Sequence, residues 1–122
     1  MYEVSIKTHF SAAHNLKGYD GACSVQHGHN WEVEVYVIGQ KLNDIGILVD
    51  FKVVKEKVRR ILGEFDHIDL NTLPCFRSVN PTSENLARII YEKLEVELND
   101  VDHKVSRVSV KETPESTATY TR

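Results

Sequence analysis

Residues 9 to 32, HFSAAHNLKGYDGACSVQHGHNWE, carry most of the residue types able to do chemistry. They hold four of the six histidines, one of the two cysteines and the only tryptophan. The densest point is His27-Gly28-His29. In an extended strand, positions i and i+2 point the same way, ~7 Å apart. Two imidazoles at that spacing reach one metal ion, and Gly28 between them lets a ligand approach. His14 closes an earlier strand pattern and offers a third nitrogen. Three neutral imidazoles suit zinc, and a three-ligand set leaves a position open, which is the catalytic rather than the structural pattern. Cys23 lies on a glycine-containing loop four residues before His27. A His-x-His pair by itself is an ordinary surface feature, so the flanking strands must supply the argument.

They do so through parity. Tyr2, Val4, Ile6, Thr8, Phe10, Ala12 and His14 alternate with Glu3, Ser5, Lys7, His9 and Ser11. That is the half-buried alternation of an antiparallel strand. His14 falls on the apolar side, and His9 falls with the polar set as a surface residue. After a loop from Asn15 to Gln26, a second strand runs from about His27 to Gly39. Its apolar parity is Trp31, Val33, Val35 and Val37, and His27 and His29 share it. Three histidines from two strands therefore face the hydrophobic side. If the strands pair, the imidazoles converge. Buried polar groups without partners are costly, and one shared metal satisfies all three.

Two helices must follow. Asp50 is an N-cap for a helix over Phe51 to Leu62, with Phe51, Val54, Val58, Ile61 and Leu62 in its stripe and Gly63 as its stop. Asn80-Pro81-Thr82-Ser83-Glu84 opens a second helix, with a capping hydroxyl and an acid in the first turn. Leu86, Ile90, Leu94 and Leu98 form its stripe. Residues 65–71, FDHIDLN, read as a connection. Asp66 and His67 in it are either an acid–base pair or a turn with a solvated histidine. Val105 to Glu112 and Ser116 to Tyr120 read as the last two strands. Glu112 continues the apolar parity of Val108 and Val110, so it is either an exposed strand end or a carboxylate holding something. Cys75 lies in a loop and receives no role.

The bulk numbers exclude several classes. The chain has 122 residues, 41% apolar and 27% charged, with a net charge of −3. That is one domain of ordinary composition, residues 1–122. No basic cluster points to nucleic acid. No long apolar run spans a membrane, and MYEVSIKTHF lacks a signal-peptide block, so the cytoplasm is expected. Two cysteines make no disulfide framework.

The motifs in order are FSAAH at 10–14, C-x-x-x-H-G-H-N at 23–30, LVDF at 48–51, FDH at 65–67, PTSEN at 81–85 and VKET at 110–113. Together with the order ββααββ they resemble the 6-pyruvoyl-tetrahydropterin synthase family. Within it, they resemble the 6-carboxytetrahydropterin synthase branch of queuosine (7-deazaguanine) biosynthesis. The resemblance implies an α+β tunnelling fold: a four-stranded antiparallel sheet with two helices on one side. It implies closure of such sheets into a barrel, as a homohexamer of two stacked trimers with active sites between subunits. It implies one Zn2+ per chain on His14, His27 and His29, with Cys23, Asp66 and His67 catalytic. It further implies a pterin held by Glu112, with Thr82, Ser83 and Glu84 lining its pocket. One departure stands out: loop 16–22 carries Lys17 but no basic residue directly before Cys23, so the cations for a triphosphate are not identified.

The implied substrate is 7,8-dihydroneopterin triphosphate. Zinc would act as a Lewis acid on its side-chain hydroxyls. Cys23 as a thiolate and His67 oriented by Asp66 would move protons. Glu112 would offer two acceptor oxygens to the donor edge of the pterin. Three outcomes stay open. One is side-chain cleavage to 6-carboxy-5,6,7,8-tetrahydropterin, acetaldehyde and triphosphate. The second is the pyruvoyl synthase reaction, which stops after elimination and rearrangement. The third is a non-enzymatic, zinc-stabilised interaction module. The three-residue spacer Ser24-Val25-Gln26 resembles the carboxy branch.

Overall fold

A computed structural model describes all 122 residues. Seven elements of regular structure follow one another: β1 (Tyr2–His14), β2 (His27–Gly39), α1 (Phe51–Leu62), β3 (Ile68–Asp69), α2 (Ser83–Leu98), β4 (His103–Thr113) and β5 (Ser116–Tyr120). The sheet order is β3-β1-β2-β4-β5. The four long strands pair antiparallel, as the alternation requires. The sheet is nevertheless five-stranded and mixed, which corrects the four-stranded antiparallel expectation. Ile68 and Asp69 lie parallel to Ala12 and Ala13 at the edge. The stretch read as a connection therefore supplies a short strand. Two residues are too few to show a period, but their backbone groups find partners on the otherwise open edge of β1.

Both helices cover one face. Ile6, Phe10, Ala12, Trp31, Val33, Val35 and Val37 point into it, together with Val105, Val108 and Val110. α1 contributes Val54, Val58, Ile61 and Leu62, and α2 contributes Leu86, Ile90, Leu94 and Leu98. Phe51, expected in the α1 stripe, is instead 51% exposed at the first position of the helix. The caps are also as expected. Asp50 accepts from Lys52 N at 2.8 Å, and Thr82 Oγ1 accepts from Asn85 N at 3.1 Å. Burying one such aliphatic side chain contributes about 1.5–3 kcal/mol, so this face holds the sheet in register. The opposite face is polar. Glu32 lies 3.6 Å from Lys7 and 3.7 Å from Lys111, and Arg107 stacks 3.7 Å over the Tyr36 ring. No helix is long and apolar enough to cross a membrane.

The far end of β2 is fixed by close approach. A Cβ added at Gly39 would collide with the Asp102 carbonyl oxygen and lie 2.6 Å from Leu48 Cδ1. Gly39→Ala is expected to destabilise the fold by about 2 kcal/mol through this overpacking. Urea denaturation followed by circular dichroism checks it, with a lower midpoint and an unchanged slope.

Candidate metal centre and active site

The register of β1 against β2 builds the centre. His14 pairs with His27 and Ala12 with His29, so all three histidines lie on the helix-covered face beside Trp31. Trp31 is fully buried, and its Nε1 donates to the Ala12 carbonyl at 3.2 Å. His14 and His29 both stand edge-on to its indole, at 4.8 and 5.3 Å between centroids. The tryptophan is thus the floor on which two imidazoles rest.

Hydrogen bonds fix which ring nitrogens face inward. His14 Nδ1 is 2.8 Å from the Pro81 carbonyl, and His27 Nδ1 is 2.7 Å from the Val25 carbonyl. A carbonyl only accepts, so Nδ1 carries the hydrogen in both rings. In the neutral rings, Nε2 is then a lone pair. The two Nε2 atoms lie 3.0 Å apart. His29 Nε2 is buried, and its nearest polar partner is Glu112 Oε1 at 3.1 Å. Lone pairs aimed at one another in a partly desolvated site repel unless a cation lies between them. Burial lowers the pKa of His29, and the charges of His14 and His27 add to that, while Glu112 opposes it. The residues therefore fit a divalent metal, held by neutral imidazoles whose outer nitrogens are oriented by backbone carbonyls.

Glu112 joins them. Its Oε1 lies 2.9 Å from His14 Nε2 and 3.1 Å from His29 Nε2. The candidate ligand atoms of His14, His27, His29 and Glu112 all lie within 4.8 Å of one another. The family resemblance implies that Glu112 holds the pterin and not the metal. Its contact with the imidazoles is the feature that sequence reasoning missed. The signal was present: its parity with Val108 and Val110 aims it at the same face.

The remaining site residues divide. Cys23 is half-buried in a single 3-10 turn, Ala22–Ser24, and stands outside the four-residue cluster. Its carbonyl accepts from Leu16 N at 2.8 Å. Asp66 and His67 form a pair, with Nδ1 2.9 Å from Oδ1. Asp66 Oδ1 also accepts from Ser11 N at 2.9 Å, and this bond is the main reason its pKa is lowered. His67 takes a left-handed backbone, φ 59°, the one non-glycine residue to do so. Its imidazole is 81% exposed. With Ser11, Gln26, Gly28, His29 and Asn30, it lines an open cleft of about 540 Å³, so His67 and one residue of the histidine cluster border the same space. Within one chain, the Asp–His pair is not part of the four-residue donor cluster. Thr82 caps α2, and Ser83 and Glu84 form its first turn, half-buried and exposed respectively.

Comparison with known proteins places this geometry. Residues 3–122 match the family described as 6-pyruvoyl tetrahydropterin synthase. The chain belongs to that family. It is 37% identical to a 6-carboxy-5,6,7,8-tetrahydropterin synthase of Bacillus subtilis, over 98% of this chain and 84% of the relative. It is 33% identical to a 6-pyruvoyl tetrahydrobiopterin synthase of Dictyostelium discoideum, over 78% of this chain and 71% of that one. Among solved structures, 6-pyruvoyl tetrahydropterin synthase of Caenorhabditis elegans superposes with a TM-score of 0.86 at 28% identity. That match covers 100% of this chain and 97% of the other. The α+β fold is thus the one found in this family's structures.

His27→Ala is expected to lower metal content to background, as measured by elemental analysis of the purified variant. A pH effect follows from His29. Its folded pKa lies below the ordinary value near 6.5, so the unfolded chain binds the proton more readily. The contribution is complete above that value and is lost as pH falls through the folded pKa. Metal-stripped protein should therefore show a falling urea midpoint as the pH drops below about 6.5.

Proposed function

We propose that this protein converts 7,8-dihydroneopterin triphosphate to 6-carboxy-5,6,7,8-tetrahydropterin, acetaldehyde and triphosphate, in 7-deazaguanine (queuosine) biosynthesis. The observation that carries the reading is the full-length likeness to the carboxy branch, joined to a donor cluster built on strand register. The metal is Zn2+, one per chain, on His14, His27 and His29. Bound there, zinc supplies Lewis acidity toward the side-chain hydroxyls of the substrate.

The chain's own residues do the rest. The carbonyls of Pro81 and Val25 hold the His14 and His27 rings in the tautomer that leaves Nε2 free. Glu112, about a third exposed on its side chain, turns from the imidazoles to the donor edge of the pterin. It offers a two-point acceptor there. Thr82, Ser83 and Glu84 line the pterin pocket near the start of α2. Cys23 takes a proton from carbon, and His67, oriented by Asp66, moves the second. The Asp66–His67 pair stands outside the donor cluster of its own chain, and it serves the site of a neighbouring subunit. The protein is accordingly a cytoplasmic homohexamer of two stacked rings. The open edges at β3 and β5 support closure with other copies, since closure removes unpaired strand edges.

A closed structural zinc is the second reading, and one observation favours it: Glu112 supplies a fourth donor to three imidazoles. Glu112→Gln separates the two readings. Retained zinc with impaired pterin binding is expected, whereas loss of zinc would mean a closed site. Cys23→Ala should keep its metal and lose turnover by at least ~10²-fold. Mass spectrometry of the pterin, with aldehyde trapping, identifies the product. A pyruvoyl pterin without acetaldehyde would assign the alternative reaction.

A further inference from the structure

Two asparagines far from Cys23 in sequence act on its loop in the same unusual way. Asn71 Oδ1 accepts from Asn15 N at 2.8 Å, and its Nδ2 donates to Asn15 O at 3.0 Å. Asn80 Oδ1 accepts from Lys17 N at 2.9 Å, and its Nδ2 donates to Lys17 O at 2.8 Å. Only one amide orientation satisfies both bonds, so neither assignment is free. Each side chain thus presents a donor and an acceptor to a single residue, as a neighbouring strand would. Asn15 and Lys17 are two apart, and each turns both its backbone N–H and its carbonyl to an asparagine just before the chain enters the turn at Lys17 and Gly18. Leu16 between them turns its N–H the other way, to the Cys23 carbonyl at 2.8 Å. The chain of contacts therefore runs from Asn71 and Asn80, through Asn15–Lys17, to Cys23.

The asparagines are themselves anchored. Asn80 O accepts from Asn85 Nδ2 at 2.9 Å, in the first turn of α2. Asn71 N donates to Asp69 Oδ1 at 3.0 Å, and Asp69 Oδ2 accepts from Gln26, the residue before His27, at 2.8 Å. Asn80 also directly precedes Pro81, whose carbonyl orients His14. One segment thus aligns a metal-facing ring and the loop of the thiol. No hydrophobic contact could do this for Lys17, which is exposed. Four directional bonds replace the packing that such a loop lacks.

We propose that Asn71 and Asn80 are positioning residues that set Cys23 against the metal site by acting as surrogate strand partners for Asn15 and Lys17. The inference rests on the proposed role of Cys23. It concerns the rate of the chemical step and not metal binding, because neither asparagine touches a histidine.

The test uses the full-length zinc-loaded protein and the variants Asn71→Ala, Asn80→Ala and Asn80→Asp. With dihydroneopterin triphosphate, both alanine variants should lower kcat by ~10- to 10²-fold, the scale of a misplaced catalytic group. KM and zinc per chain should stay near wild type. Hydrogen exchange should show lost protection of the Lys17 amide in Asn80→Ala. Protection should persist in Asn80→Asp, which keeps the acceptor for that N–H, with kcat between the two. Cys23 alkylation by iodoacetamide should change relative to Cys75 in the alanine variants. Unchanged kcat in both alanine variants overturns the proposal. So does loss of zinc together with kcat, which would place the effect on His14, and so does loss of protection across the whole sheet. If wild-type protein does not turn over this substrate, the enzymatic reading fails. The exchange and alkylation results then still decide whether the asparagines hold the loop.

Discussion

The structure depends on three imidazole nitrogens being brought together against their own repulsion. His14 Nε2 and His27 Nε2 stand 3.0 Å apart, with their outer nitrogens committed to backbone carbonyls. Nothing in the side chains alone favours this arrangement. It persists because the pairing of β1 with β2 is enforced elsewhere, by Phe10 stacked on Trp31 and by valines packed under two helices. A one-residue slip would turn every one of these groups to the other face. The hydrophobic register therefore holds a polar cluster in a state that suits a cation.

The two faces of the sheet do different work. The covered face carries the core and the metal-facing residues. The polar face carries charges in exposed pairs, each of small energetic weight, and the exposed Asp66–His67 pair stands beside the β3 edge. His67 has a backbone conformation that side chains rarely adopt. Its strain is sustained by local ties, since Asp66 accepts from Ser11 N and the His67 amide donates to Ser11 O at 2.6 Å. Strain held in place at a candidate proton-transfer residue is a recurring feature of functional sites.

The start of α2 links the scaffold to the site. Thr82 caps the helix, Pro81 orients His14, and Asn80 holds Lys17, all within three residues. A helix anchored by a deep apolar stripe is a rigid reference, and side chains at its entrance inherit that rigidity. The loop that carries Cys23 has little apolar burial of its own, and so takes its position from hydrogen bonds.

The sequence by itself determined the long strands, both helices with their caps, and the shared face of His14, His27 and His29. These are properties of period and parity, which neighbouring residues write directly into the chain. The ordered motifs also carried the family, because their spacing spans nearly the whole chain. Tertiary structure alone decided the rest. It added β3, which is too short to have a period and exists only because β1 offers an edge. It brought Glu112 onto the imidazoles, since parity gives a face but not a distance along it. It left Asp66 and His67 outside the four-residue donor cluster. It also joined Asn71 and Asn80 to a loop some 56 and 63 residues away. Such contacts depend on where the chain returns in space, and no local pattern of residues encodes that.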